Sequence, residues 1–169
     1  MSKIEELKAK VLKAQQETDI ASLYVLEKEA HEIFDEETLH SFYANILDIA
    51  LEKLTDTLES HRKMNMNEVQ DFATTRALYE YAMEHYSAGA IKDASALFEV
   101  LSGMTDDDKF SWALKLHWLA SAEGITLDDF LSDMADIEKT QKLGTFYIAS
   151  FKKEAQQLLN NAQENGTAE

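Results

Sequence analysis

The chain has 169 residues, 45% of them apolar, and contains neither cysteine nor proline; that length suits one domain, or one domain with a helical arm. Its formal net charge of −16 is spread through both halves without a basic patch, which argues against binding nucleic acid through phosphates and against attraction to anionic lipid. The lack of cysteine excludes disulfides, thiol catalysis and thiolate metal sites, and no cofactor is expected.

With no proline, five glycines and abundant Ala, Leu, Glu and Lys, the chain favours helix nearly throughout. No run of alternating Val, Ile and Thr argues for a strand. The expected class is all-α, built of antiparallel helical hairpins. The first ten residues, MSKIEELKAK, are charged and amphipathic without an apolar signal core, and no apolar run approaches membrane-spanning length. A cytoplasmic protein that does not insert into membranes is the expectation.

In chain order, Ser2 with Glu5 fits a capping box for a first helix reaching Gln16. Ile4, Leu7, Val11 and Ala14 recur on one face of it. So narrow a stripe suits a homodimer seam (Ile4, Leu7, Val11) or a helix docked on one neighbour. Thr18-Asp19 marks a break and a fresh cap before a second stripe, Ile20 to Phe34. Asp35 caps a third helix reaching about Ser60, with Leu39, Tyr43, Leu47, Ala50, Leu54 and Leu58 on its buried face, widened by Phe42, Ile46 and Ile49. His61-Arg62-Lys63 places cations where the helix dipole favours them. MNMN (64–67) is a connector, and Asn67 is the expected cap of a helix from Glu68 to Tyr86.

Gly89, Gly103 and Gly124 are expected at helix ends, with Thr105 and Thr126 starting the helices that follow. KTQKLGTFYIASFKKEAQQLL reads as continuous helix with a weak point at Gly144. The expected organisation is a helical segment over 1–65, helical hairpins over 66–160 and a disordered tail over 161–169.

Thr75 to Leu119 carries the clearest pattern. Leu78, Ala82 and Tyr86 lead to Gly89, then Ala94, Phe98 and Leu101 follow, and Trp112 stands one repeat length beyond Leu78. This stretch resembles a tetratricopeptide repeat, a motif of about 34 residues forming two antiparallel helices. The second repeat departs from the pattern, with Leu116 and Asp128 where small residues are usual. The run Tyr86 to Leu101 is also similar to the first repeat of the small acidic chaperones of type III secretion systems. The resemblance implies a protein-binding adaptor or chaperone that holds a partner peptide or helix in a groove. It places Arg76, Tyr79, Met83 and Tyr86, then Phe110 and His117, along that groove. A competing reading packs Tyr79, Met83 and Phe110 into the core. The partner of so acidic a chain would be a basic or amphipathic segment of another protein.

Glu37-x-x-His40 puts two metal-ligand types on one helix face, but a di-iron helical site needs a second such pair and two further glutamates. TDDDKFSWALKLH lacks the central glycine and closing glutamate of a calcium loop. No phosphate-binding glycine loop or nucleophile elbow is present. A helical metalloprotein using Glu37 and His40 is thus the minor alternative, no metal or catalytic residue is assigned, and the expectation is not an enzyme.

Overall fold

The computed structural model describes residues 1–164. Among the described residues are ten α-helices, one π-helical turn and an antiparallel bridge between Ala135 and Phe151, with no strand among them. No helix of the described residues is long and apolar enough to cross a membrane. The chain is all-α, as expected, and divides into two compact units, Met1–Leu78 and Tyr79–Glu169. The connector suggests a boundary near 65; the division between units falls inside a helix, between Leu78 and Tyr79.

The first unit contains α1 (Lys3–Gln16), α2 (Ile20–Val25), α3 (Glu27–Ile33), α4 (Glu36–Glu59) and the first half of α5 (Val69–Ser87). Ser2 caps α1, its Oγ accepting the Glu5 N–H at 3.2 Å. Leu7, Val11 and Ala14 are buried where α1 packs on α2 and α3. The narrow stripe therefore serves the docked-helix alternative. Leu7 and Val11 are consumed inside the unit and only Ile4 stays exposed, so these three do not form a free homodimer face.

On α4 the buried line runs through Phe42, Ile46, Ile49, Ala50, Leu54 and Thr57, while Leu58 is exposed. The centre of the face thus lies on residues expected at its flank. Both rows are apolar and similar in bulk, so helical periodicity alone does not decide between them. At the start of α5, the Glu68 carboxylate accepts the Asp71 N–H at 3.1 Å, so Glu68 rather than Asn67 performs the cap.

Without proline, the chain ends several of its helices by left-handed residues. Thr18 (φ 51°), His61 (φ 56°), Gly89 (φ 84°), Gly124 (φ 82°) and Gly144 (φ 70°) each follow a helix, and the first four share one pattern of closing bonds. The paired bonds Thr18 N–H to Gln15 and Asp19 N–H to Ala14 recur as His61 to Leu58 with Arg62 to Thr57, and again at Gly89 and Gly124. That pairing satisfies carbonyls the helix end would leave open. Two of the five left-handed stops thus use residues with a Cβ, at a conformational cost of about 1 kcal/mol each.

The second unit contains the end of α5, α6 (Ile91–Met104), α7 (Asp108–Ala122), α8 (Leu127–Asp129), a π-helical turn (Phe130–Met134), α9 (Ile137–Leu143) and α10 (Lys153–Glu164). α6 and α7 make its most extensive helix contact, and Ser111 Oγ donates to the Ser102 carbonyl at 2.7 Å across it. These packed hairpins are compatible with a tetratricopeptide-like arrangement.

Four expectations are corrected here. Gly103 lies within α6, not after it, and Thr105 is extended; Asp107 caps α7, accepting the Phe110 N–H at 2.9 Å. Thr126 does cap a helix, yet α8 gives way to the π-helical turn, so the second repeat lacks a full second helix. The expected long helix after Lys139 stops at Gly144 (φ 70°), and residues 145–152 are not helical. The polar tail is helical as far as Glu164; its remaining residues, 165–169, lie outside the described part.

Two substitutions test this backbone account. Thr18→Gly relieves a left-handed β-branched residue, and Gly103→Ala removes the excess freedom of a helical glycine whose added Cβ would meet nothing within 4 Å. Each is expected to stabilise the protein by about 1 kcal/mol, read as a higher urea midpoint with unchanged slope.

Candidate functional site

Of the predicted groove residues, the structure gathers four. Tyr79, Tyr86, Phe110 and His117 are all buried in the second unit. The Tyr79 ring lies 6.3 Å from that of Phe110 and 5.3 Å from that of His117, and Tyr86 joins through Phe98 at 5.9 Å and Phe130 at 6.1 Å. Met83 is half-buried. Arg76 belongs to the first unit, where its guanidinium meets Glu27 at 3.2 Å and lies 3.9 Å over the Tyr24 ring.

The four do not line an open groove. The chain's own non-helical segment fills the space between them. Phe146 and Tyr147 pack on Phe110 at 5.4 and 4.4 Å and on Tyr79 at 6.0 and 6.3 Å. Phe151 reaches His117 at 6.0 Å, Phe130 at 6.1 Å and the half-exposed Trp112 at 5.4 Å. Offset and edge-on ring pairs of this kind contribute about 0.5–1.5 kcal/mol each beyond the area they bury.

A chain of hydrogen bonds runs through these rings. His117 Nδ1 lies 2.6 Å from the Ala113 carbonyl and Nε2 lies 2.7 Å from Tyr79 Oη. A carbonyl only accepts, so Nδ1 carries the proton and the neutral ring presents a lone pair at Nε2. Tyr79 therefore donates to Nε2, and its oxygen accepts the Ile148 N–H at 3.1 Å. Every polar atom of this Ala113–His117–Tyr79–Ile148 relay is matched at a position where an unmatched one is costly.

Burial sets the charge states. It holds the His117 pKa down at about 4, against a smaller upward pull from the Ala113 carbonyl, so the ring is neutral near neutral pH. Burial likewise drives the Tyr79 hydroxyl far above its usual range, keeping it a donor. With both ring nitrogens engaged and no accessible surface, His117 has no lone pair left to offer a metal or a substrate proton.

The segment beyond Phe146 is pinned from a second direction. Thr140 Oγ1 accepts the N–H groups of Ala149 at 3.2 Å and Ser150 at 3.1 Å. Asp136 N–H donates to Ser150 at 2.8 Å, and Lys152 N–H to Met134 at 2.7 Å. The sequence reading missed Thr140, Phe146, Tyr147, Ile148 and Phe151. Their signal was the aromatic, β-branched run FYIASF straight after Gly144, which suits irregular or extended backbone better than helix.

Glu37 and His40 are both exposed on α4, and among the described residues no group of three His, Cys, Asp or Glu side chains gathers to hold a metal ion. The Glu37/His40 alternative thus acquires no further ligand from the fold. Comparison with protein-family models, with curated proteins and with solved structures finds no match to the chain.

Two outcomes follow from the buried relay. Tyr79→Phe keeps the ring but strands His117 Nε2 and the Ile148 N–H, and is expected to cost about 2–3 kcal/mol of stability in urea denaturation. For His117, the folded pKa of about 4 lies below its ordinary 6.5, so the unfolded chain takes up the proton first. Its contribution is complete above pH 6.5 and is lost as pH falls towards 4, a span of about 3 kcal/mol. His117→Gln should lower stability at neutral pH and flatten that part of the pH profile. An unaltered slope would contradict a buried neutral imidazole.

Proposed function

We propose that this chain is a protein-binding helical module, an adaptor or chaperone of the cytoplasm, whose aromatic pocket in the second unit holds a peptide segment of a partner. One observation carries the reading: the pocket already grips non-helical polypeptide by the two means a peptide site needs. Tyr79 Oη takes a backbone N–H, that of Ile148, which any sequence supplies. The rings of Tyr79 and Phe110 receive side chains, which supplies preference. Buried tyrosine is well suited to this work, since it offers a large rigid apolar area and a hydroxyl at the same place.

The charge of −16 favours a partner whose segment is basic or amphipathic, because complementary fields speed encounter and disfavour acidic competitors. The small residues Ala82 and Ala94, both fully buried, support the tetratricopeptide-like reading by letting neighbouring helices approach closely.

The test is affinity capture of the tagged protein from its native lysate, with partners identified by mass spectrometry, beside Tyr79→Phe shown to be folded by circular dichroism. One dominant partner, recovered at least about tenfold less with the variant, is expected for loss of one buried hydrogen bond. An identical partner list from both proteins would remove the pocket as the site. Recovery of the chain alone would point instead to self-association.

A further inference from the structure

The occupant and the floor of this pocket are unequal. Phe110 has no accessible surface and Tyr79 almost none, whereas Phe146 and Tyr147, whose rings pack on both, are only half-buried. The covering segment is also anchored by different means along its length, the later part by hydrogen bonds and the earlier part by the ring contacts of Phe146 and Tyr147 and the buried Ile148. Its later part, 149–152, is tied by Thr140 Oγ1, by the Asp136 and Met134 backbones, and by Lys152 Nζ on the Ser132 carbonyl at 2.6 Å. Its earlier part is tied to α5 through Ile148 N–H on Tyr79, and Thr145 Oγ1 closes a local turn on the Tyr147 carbonyl at 2.7 Å.

Gly144 stands just before that earlier part, left-handed at φ 70° with open space around it, a backbone position able to take up a rotation. Lifting 145–148 would leave the anchors of 149–152, and with them the approach to α10, in place. It would also uncover a ring-lined pocket with the Tyr79 oxygen short of one N–H. That is a site complementary to another peptide of the same kind.

We propose that residues 145–148 are an autoinhibitory strap, hinged at Gly144, which occupies the pocket in cis until a partner displaces it. The displacing partner carries adjacent aromatic side chains in a non-helical segment, reproducing Phe146, Tyr147 and the Ile148 N–H. This inference rests on the peptide-holding reading and adds its regulation: the apparent affinity for a partner is the intrinsic affinity reduced by the fraction of molecules with the strap lifted.

Two measurements on the full chain test it. In native-state hydrogen exchange, the Ile148 amide should exchange through a local opening at least about tenfold more populated than the opening that exposes α6 and α7. Exchange of Ile148 only by global unfolding would make 145–148 an integral part of the core and overturn the strap. Second, a fluorescein-labelled peptide of residues 143–152 is titrated into the wild type and into a Phe146→Ser/Tyr147→Ser variant. The variant should bind at least about tenfold more tightly. Equal binding to both would overturn cis occupation while leaving the pocket reading intact, and binding to neither would overturn both. Should the variant lose its helical circular dichroism, the exchange result on the wild type decides.

Discussion

The Tyr79 hydroxyl is the point on which the second unit depends. It donates to a histidine and accepts from a backbone N–H, at a position almost without accessible surface. Hydrogen bonds contribute modestly in water, but leaving one unmade in such a place costs the full desolvation of the group. The relay therefore does more than stabilise. It selects one tautomer of His117, one rotation of the Tyr79 hydroxyl and, in the closed state, one path for the chain after Gly144, since another path packed on the same rings would strand a polar atom. The surrounding rings supply bulk attraction, and the relay supplies the uniqueness that ring packing alone lacks.

Helix termination is the second constraint. A chain without proline and with few glycines must spend other residues on its reversals. Thr18 and His61 accept left-handed backbone that side chains with a Cβ, β-branched ones above all, disfavour. They hold it because the same paired hydrogen bonds close each helix end, and after Thr18 because Asp19 caps the next helix at once. Asp19 also receives the Gln70 amide at 2.6 Å and the Ser22 hydroxyl at 2.7 Å, bonds that lower its pKa below the ordinary carboxylate value, the Gln70 bond most of all. The cap of α2 is thereby also the joint between α2 and the start of α5.

On the peptide-holding reading proposed above, the aromatic pocket and the acidic surface would serve one purpose. Rings would hold a short segment at short range, while net charge acts over about 8 Å at physiological salt and so would govern approach rather than fit. A strap that satisfied the pocket in cis would keep the rings from water and set a threshold for a partner, so that fold stability and ligand competition would draw on the same hydrogen bond.

Composition and periodicity determined the helical class, the caps at Ser2, Asp19, Asp35 and Thr126, and the reversals at Gly89 and Gly124, because these follow from local backbone preference. The resemblance to a tetratricopeptide repeat, rather than composition, brought Tyr79, Tyr86, Phe110 and His117 together on paper, in company with Arg76 and Met83. What remained hidden was decided by contacts distant in sequence. The row of α4 that turns inward depended on which neighbour it met. The stretch after Gly144 left the helix that its composition permits because Tyr79, Thr140 and the rings of α7 offered its backbone and its aromatic side chains better partners. Whether four aromatic residues line a groove or a filled pocket is a property of what lies on them, and that lay about seventy residues further along the chain from Tyr79.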